Sequence, residues 1–430
     1  MVKRLLDLFQ KNLSIKNGII FTVFATLNNG LNFLLTLILS LYLTKEDFGV
    51  LNLFLTFILI LTILISLGTQ SFFSVIYFKK NKVYLNRILN SIMAISAVTL
   101  LILIAISLLL SRQVTLLVGF STKYQLLGVI ICFFQLFYTT NLEVYRLEEK
   151  PVKYGLMTMG WLSLNFVLTL YFCIALKRGW YGRADAQFIA AVIFFFINIY
   201  FLRKNGYLHL SKPGKSHYLK TLKFGLPLIP HNSTVWIRQG FDRYIINFYF
   251  GPGLLGSYSF IYNFTGLIMM VGTAFNSTNS VFIFKKLKDG NKEGIREALF
   301  KQIRIMTMIF LGLTIMAIIL IYLLIELFVP KYQSAVIYII PLCLAAFFQC
   351  IYYLFVNYLF FFNKTKTLMY ITFTISVFHF GLSFLITRYS VAYTAYLTLF
   401  SNFLICIFVI YYSNKTFPLL NYKNNLSVID

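Results

Sequence analysis

Long apolar segments separated by short polar breaks make up most of this chain. We identify twelve, at residues 17–43, 48–72, 88–110, 124–143, 155–176, 185–202, 222–250, 253–280, 303–328, 334–361, 367–387 and 391–412. A helix needs about 20 predominantly apolar residues to cross a bilayer. The segments are continuously apolar rather than alternating, which argues against membrane β-strands. The sequence therefore predicts an all-α, polytopic membrane protein with about 12 transmembrane helices.

Composition supports this fold class. Hydrophobic residues make up 59% of the 430 residues and charged residues only 12%. A soluble domain of this length would carry roughly twice that share of charge on its surface. The formal net charge of +25 is consequently not the mark of a nucleic-acid-binding domain, because no compact basic region exists to form one.

A short repeat suggests that the chain consists of two similar halves. Residues 74–80 read SVIYFKK and residues 280–286 read SVFIFKK, and each copy ends an apolar segment. Asp47-Phe48-Gly49 and Leu254-Leu255-Gly256 open the two segments that end in these copies. Repeated halves are common in transporters that alternate access to a central site. An even number of helices in each half predicts two parallel six-helix halves.

The predicted domain boundaries follow from this organisation. We expect a cytoplasmic, in-plane amphipathic segment, an N-terminal six-helix half, a basic cytoplasmic linker, a C-terminal six-helix half and a cytoplasmic tail. They occupy residues 1–16, 17–202, 203–221, 222–412 and 413–430.

The basic residues predict the orientation in the membrane. Most of the 38 lysines and arginines lie in alternate loops, including those at 79–87, 146–153, 203–223 and 285–304. Cytoplasmic loops carry such an excess. Both termini are therefore expected in the cytoplasm.

The seventh apolar segment carries an unusual set of polar residues. Pro227 and Pro230 are expected to bend or break its cytoplasmic end. Further along, His231, Arg238 and Asp242 recur at helical spacing, and Arg243 lies beside them. An arginine at membrane depth costs about 3 kcal/mol unless it faces protein or water. These residues predict a cationic cavity wall for an anionic group such as pyrophosphate; the alternative is a structural pair between Arg238 and Asp242.

Other polar residues suggest a lumen and a gate. Asn28 and Asn32 share one face of the first helix, where they either line a cavity or bond between helices. Arg146 and Lys153 lie in a charged cytoplasmic stretch that forms either an inner gate or a solvated loop. His379, alone in its apolar segment, is interpreted as a hydrogen-bonded packing residue.

The sequence contains no recognisable catalytic constellation, nucleotide-binding loop or cluster of metal ligands. We therefore expect a protein that is not an enzyme, that has no catalytic residues, and that uses no cofactor or metal.

Three stretches resemble a known family. Residues 224–230 (FGLPLIP), followed by Trp236, by residues 242–246 (DRYII) and by Phe250-Gly251, resemble the seventh helix of bacterial polysaccharide-repeat-unit flippases. These O-antigen and capsule flippases belong to the multidrug/oligosaccharidyl-lipid/polysaccharide (MOP) exporter superfamily. Residues 43–49 (LTKEDFG) resemble the family's first outer loop. Tyr145-Arg146 with residues 153–155 (KYG) resembles its cytoplasmic segment before helix 5.

The resemblance implies a V-shaped helical bundle that moves oligosaccharide repeat units, linked to undecaprenyl pyrophosphate, from the inner to the outer leaflet. The partners it implies are this lipid-linked substrate, membrane lipids, and the polymerase and glycosyltransferases of the same pathway, with no nucleic acid. Only Asp242 and Arg243 carry over as cavity residues. The first-helix arginines of lipid II flippases have no counterpart here, since helix 1 offers asparagines.

Two alternatives stay open at this stage. A drug or cation antiporter of the same superfamily would share the fold but would favour carboxylates over arginines in its lumen. An integral-membrane glycan polymerase is disfavoured by the short outer loops and by the lack of acidic catalytic pairs.

Overall fold

The structure is a computed structural model that describes residues 13–209, 211–288 and 292–418. The first helices are α1 (Leu13–Tyr42), α2 (Lys45–Ser66), α3 (Gln70–Ile76), α4 (Lys82–Leu109), α5 (Ser111–Val118), α6 (Thr122–Leu147), α7 (Pro151–Leu170, extended by a π-helical turn Tyr171–Ala175), α8 (Gly179–Lys204) and α9 (Lys215–Gly225). The remaining helices are α10 (Leu228–Gln239), α11 (Phe241–Lys288), α12 (Lys292–Leu327), a 3-10 helix (Pro330–Tyr338), α13 (Ile339–Phe361), α14 (Thr365–Ile386) and α15 (Val391–Thr416). Within these residues 11 helices are long and apolar enough to cross a membrane. The predicted all-α membrane fold is confirmed. The in-plane segment predicted at 1–16 and the tail predicted at 413–430 fall largely outside the described residues.

The chain divides into two compact units, unit 1 at Met1–Trp236 and unit 2 at Ile237–Asp430. The division falls inside α10. The linker predicted at 203–221 and the short helix α9 accordingly belong to unit 1, where α9 packs against α3 and α4.

The core of unit 1 lies between α4, α6 and α8. Leu85, Ile88 and Leu89 of α4 pack against Leu136 of α6 and Leu202 of α8, and all five side chains are buried. A buried hydrogen bond from Asn141 to Asn198, at 2.8 Å, joins α6 to α8. Helices in lipid commonly associate through such polar contacts because each polar group needs a partner.

Two glycines allow α9 to approach the end of α2 closely. Gly68 has a φ of 68°, a backbone conformation that residues with a Cβ rarely adopt. A Cβ on Gly68 would lie 2.7 Å from the carbonyl oxygen of Gly225, and one on Gly225 would lie 2.5 Å from that of Leu67. The backbones themselves are therefore in contact at this crossing.

The seventh predicted helix is not continuous. A turn at residues 226–227 separates α9 from α10, as the prolines predict. A second break at Gly240, which the sequence analysis does not predict, separates α10 from α11. The single segment expected at 222–250 is consequently three helical pieces, and none of the 11 candidate spans covers residues 222–240. Proline removes a backbone donor, and glycine stabilises a helix poorly, which accounts for both breaks.

Unit 2 begins with a long helix that turns sharply. α11 contains Gly251 at φ 76° and ψ 178°, followed by Pro252, so residues 241–250 and 252–288 run in different directions. The second half then packs against α13, which packs in turn against α15. The copy of the repeat at 280–286 lies inside this helix, whereas α3 ends at Ile76 within the first copy. The two repeat copies thus share sequence but differ in local structure.

The contact between Gly68 and Gly225 gives a stability prediction. Gly225→Ala should lower the free energy of unfolding by about 1–3 kcal/mol, because the new methyl group meets the Leu67 carbonyl oxygen. The measurement is the thermal unfolding midpoint of the purified protein in detergent. Gly30→Ala is the matched control, since nothing lies within 4 Å of a Cβ there. Equal midpoints for the two variants would contradict the close contact.

Candidate functional site

Unit 2 holds three charged residues in its interior near the start of α11. Asp242 is 2% exposed, and Arg238 and Arg243 are each 8% exposed. The break at Gly240 separates Arg238, near the end of α10, from Asp242, in the first turn of α11. The backbone N–H of Arg243 donates to the carbonyl of Gly240 at 3.1 Å, which closes the turn. A break in the helix thus brings charged side chains into the unit's interior.

Arg238 has a neutral partner rather than an acidic one. Its guanidinium donates to Oδ1 of Asn402 on α15 at 3.2 Å, and the amide of Asn402 donates in turn to the carbonyl of Ala345 at 3.1 Å. The buried Nε of Arg238 has no hydrogen-bond partner. Among the described residues no carboxylate lies within ion-pair distance of Arg238. The structural pair between Arg238 and Asp242, the alternative considered above, does not form.

Arg243 stacks on an aromatic ring. Its guanidinium carbon lies 4.6 Å from the ring centroid of Tyr262, further along α11. A cation over an aromatic face is stabilised by roughly 0.5–2 kcal/mol, more when water is excluded. This contact holds the side chain against the ring of Tyr262.

Asp242 is the centre of a buried hydrogen-bond network. Nε2 of His379 on α14 lies 3.0 Å from each carboxylate oxygen, and Ser383 donates to Oδ1 at 2.6 Å. Thr398 of α15 donates to Oδ2 at 3.4 Å. On the far side of the imidazole, Nδ1 of His379 lies 2.8 Å from the hydroxyl of Ser401. Three helical segments therefore meet at this carboxylate.

Sequence reasoning missed several members of this cluster. The interpretation of His379 as a hydrogen-bonded packing residue did not identify its partner, which is the charged Asp242. Its signal was present in the sequence: Ser376, His379 and Ser383 recur at three and four residues, which places them on one helical face. Asn402 and Ser401 carry no comparable signal, since isolated polar residues are frequent in α15.

The remaining predicted site residues are not part of this cluster. The amide of Asn32, an exposed residue, donates to the carbonyl of Asn28 at 3.0 Å, so the two bond along α1 itself. The backbone of His231 belongs to α10, but its side chain lies outside the described residues.

The two predicted gate residues differ in their surroundings. Arg146 makes an ion pair of 2.6 Å with Glu143, one turn earlier on α6. Lys153 is exposed on α7. Glu148, which follows α6, accepts a hydrogen bond of 2.8 Å from Tyr207, and burial of that tyrosine, together with its bond to Glu148, raises its pKa. The ion pairs of this charged stretch thus join residues that are close in the sequence. A gate formed by Arg146 and Lys153 remains a prediction.

Unit 1 has a cavity of about 440 Å³ between α3, α4 and α6, and its wall combines polar and apolar side chains. Gln70 crosses it and donates to Thr139 at 2.8 Å, and Ser74 donates to Glu143 at 2.5 Å. The lining residues are Gln70, Ser71, Phe73, Ser74, Val75, Leu89, Ile92, Thr139, Thr140, Glu143 and Arg146. Amide, hydroxyl and carboxylate groups of this kind bind polyhydroxylated molecules.

Comparison with known proteins identifies the family. The family model described as "polysaccharide biosynthesis protein" matches residues 14–283. The chain belongs to this family. A second family model, MatE, matches residues 227–385. A comparison with curated protein sequences gives no significant match.

Solved structures of multidrug transporters and of a lipid II flippase have the same fold. An inward-facing multidrug resistance MATE transporter superimposes with a TM-score of 0.70 at 15% identity, over 92% of this chain and 94% of that one. The lipid II flippase MurJ, in an inward closed conformation, gives 0.68 at 15% identity, over 92% and 87%. The outward-facing multidrug resistance MATE transporter gives 0.59 at 16% identity, over 94% of each chain. This member of the polysaccharide biosynthesis family thus shares the fold of these transporters and of the lipid II flippase.

The contact between Arg238 and Asn402 can be tested by stability. Asn402→Ala should lower the free energy of unfolding by about 1–3 kcal/mol, because a buried guanidinium loses its acceptor. The thermal midpoint in detergent is the measurement. Asn32→Ala provides the control, since that exposed amide donates to its own helix backbone. A midpoint for Asn402→Ala no lower than that of the control would rule out a stabilising role for this bond.

Proposed function

We propose that this protein is a flippase that moves oligosaccharide repeat units, linked to undecaprenyl pyrophosphate, across the bacterial cytoplasmic membrane by alternating access. The observation that carries the proposal is the pair of buried arginines in unit 2, Arg238 and Arg243. Membership of the polysaccharide biosynthesis family supports the substrate class.

The arginines suit a diphosphate. A guanidinium presents several N–H donors in a plane that matches phosphate oxygens, often in a bidentate manner. Arg238 uses Nη1 on a neutral amide, and Arg243 lies on the face of Tyr262. The amide of Asn402 is neutral, so it does not supply the negative charge that would offset the buried cation of Arg238. An anionic headgroup would supply it, and the free energy gained would favour binding at this depth.

The oligosaccharide needs a polar path. Moving its hydroxyl groups through about 30 Å of hydrocarbon without hydrogen bonds would cost several kcal/mol for each group. Polar cavity walls lower this cost while the polyprenyl chain stays in lipid. In unit 1, the cavity lined by Gln70, Ser74 and Glu143 supplies amide, hydroxyl and carboxylate partners for sugar hydroxyls. The predicted lumen residues Asn28 and Asn32 on α1 would supply further amide partners.

The orientation belongs to the same proposal. Lysines and arginines of the loops at 79–87 and 203–223 would face the cytoplasm, as would both termini. Glycosyltransferases would supply the substrate on that side, and a polymerase would use it on the other.

The proposal predicts a loss of transport when both cations are removed. Replacing Arg238 and Arg243 with Ala together should slow translocation at least about tenfold, since charge-assisted bonds to phosphate contribute roughly 1.5–3 kcal/mol each. The measurement uses proteoliposomes that contain labelled lipid-linked oligosaccharide and follows its exposure on the opposite leaflet. Arg388→Ala is the matched control: it removes an exposed arginine of unit 2 that also stacks on a tyrosine.

Transport by the double variant at the rate of the unaltered protein, with equal insertion, would refute the anion site. Deletion of the gene in its host separates the alternatives. Repeat units that remain on the cytoplasmic face support a flippase, whereas units that reach the outer face unpolymerised indicate a polymerase.

A cation antiporter is the second candidate, and one observation favours it. The MatE family model covers residues 227–385, which include the buried carboxylate of Asp242. That carboxylate already accepts bonds from His379 and Ser383, so a substrate cation would have to displace them. Unchanged surface glycan together with altered drug sensitivity in the deletion strain would favour the antiporter.

A further inference from the structure

A second cavity in unit 1 has no part in the function proposed above. It is an open cavity of about 670 Å³, within the range of roughly 300–1,000 Å³ that is typical of small-molecule sites. The start of α2 contributes Asp47, the start of α6 contributes Ser121 and Tyr124, and the connection between α7 and α8 contributes residues 177–179 and Tyr181. These three connections alternate along the chain with the basic loops, so in the proposed orientation the cavity faces outward.

Stacked aromatic rings form part of the cavity wall. The ring centroids of Tyr124 and Tyr181 are 4.9 Å apart, and the ring of Trp180 lies 4.8 Å and 4.4 Å from them. Tyr181 is 45% exposed, whereas Tyr124 and Trp180 are 5% and 4% exposed. Two buried rings thus hold an exposed one in place. A ligand that stacks on Tyr181 would therefore cost the protein little side-chain entropy.

Groups of both charges lie in the same cavity. Asp47 and Lys177 both line it, and among the described residues neither has an oppositely charged side chain within ion-pair distance. Arg178, in contrast, pairs with Asp185 at 2.6 Å. The cavity therefore presents a carboxylate and an ammonium group that do not neutralise each other by direct contact.

The carboxylate of Asp47 is fixed at the cavity by local structure. The backbone N–H of Asp47 donates to Oγ1 of Thr44 at 3.1 Å, and its carboxylate accepts from the backbone N–H of Trp180. A Cβ on Gly179, which has a φ of 57°, would lie 2.6 Å from Oδ2 of Asp47, so glycine allows this close approach. A carboxylate has about four lone-pair positions. These contacts thus leave it acceptor capacity for a ligand.

A pyranose ring matches this combination of groups. Its C–H groups form an apolar face that stacks on an aromatic ring, and its hydroxyls donate to carboxylates and accept from ammonium groups. We propose that this cavity is a saccharide-binding site. Tyr181 is the stacking platform, Asp47 accepts hydroxyl groups, and Lys177 donates to hydroxyl oxygens. The polysaccharide biosynthesis family to which the chain belongs supports this class of ligand.

Anchoring in lipid headgroups is the other common role of tyrosines at a membrane interface. Tyr171, on the π-helical turn before α8, is suited to that role, since it is 53% exposed and is not among the residues that line this cavity. Tyr181 differs because its ring shares a cavity with Asp47 and Lys177. A phospholipid headgroup would bring a phosphate to Lys177, but it has no flat C–H face to place on Tyr181.

In a flippase this site would act on the product side of the membrane. It holds the oligosaccharide after delivery, and its exposure to water keeps each contact weak enough for release. This role rests on the proposed function and orientation, whereas the saccharide site itself does not.

Saturation-transfer NMR of the full-length protein in lipid nanodiscs detects weakly bound sugars directly. The probe is a mixture of oligosaccharides obtained by partial hydrolysis of the host's surface polysaccharide, and the aromatic protons of the protein are saturated. Tyr181→Ala should weaken binding about fivefold or more, because the stacking platform is removed. Tyr181→Phe keeps the ring and should bind within about twofold of the unaltered protein. Tyr171→Ala is the matched control, since it removes an exposed tyrosine outside the cavity.

Lys177 provides a second variant that does not depend on the aromatic stack. Lys177 has a φ of 51°, a conformation that asparagine tolerates better than most residues. Lys177→Asn therefore removes the ammonium group without adding backbone strain. It should weaken oligosaccharide binding about two- to fivefold, as expected for an exposed charged contact.

The possible results have distinct meanings. Saturation that is strongest on the C–H protons of one sugar face, and that Tyr181→Ala abolishes, would support the site. Equal affinity of Tyr181→Ala and the unaltered protein would overturn it. Binding of glycerophosphoethanolamine without binding of the oligosaccharides would also overturn it, because the cavity would then hold a lipid headgroup.

Translocation measured in proteoliposomes separates this site from the proposed function. Normal transport by a protein that binds no saccharide in this cavity would refute the site alone. Saccharide binding that depends on Tyr181, in a protein that moves no lipid-linked oligosaccharide, would refute the proposed function and leave the site in place.

Discussion

Burial of charge is the constraint on which the interior of unit 2 depends. Asp242 is accommodated there because His379, Ser383 and Thr398 all point donors at its carboxylate. The arginines make other contacts. The guanidinium of Arg238 donates to the amide oxygen of Asn402, and that of Arg243 stacks on the ring of Tyr262. The negative charge of Asp242 is thus well solvated by protein, whereas the cation of Arg238 is held by a neutral amide. This difference underlies the anion site proposed above.

Breaks in the seventh predicted helix allow these charged side chains to lie in the interior of unit 2. A continuous seventh helix would satisfy its own backbone hydrogen bonds and direct its side chains outward at regular intervals. The steps at residues 226–227 and Gly240 interrupt that regularity, so α10 and α11 are separate helices. Backbone irregularity at membrane depth is tolerated where protein or water satisfies the freed groups. The hydrogen bond from the Arg243 N–H to the Gly240 carbonyl satisfies two of the backbone groups at this break.

Part of the site follows from local sequence and part does not. Pro227 predicts the first break, and Arg238, Asp242 and Arg243 stand out because charged residues are rare in apolar segments. The second break at Gly240 was missed because glycine occurs in many intact membrane helices. His379 was considered a packing residue because its partner lies 137 positions away in the chain. Periodicity shows which residues share a helical face, but it does not show which helix that face meets.

The sequence alone was sufficient for the fold class, the number of apolar segments and the family resemblance, because hydrophobicity, chain length and motif are local properties. It also picked out the charged residues of the seventh segment. Only the tertiary structure decided their partners: Asp242 with His379, Arg238 with Asn402 and Arg243 with Tyr262. Sequence spacing alone suggested the nearer pairing of Arg238 with Asp242. The packing of α14 and α15 against α11 supplied more favourable partners, because a buried group bonds to whichever donors or acceptors the fold brings within reach.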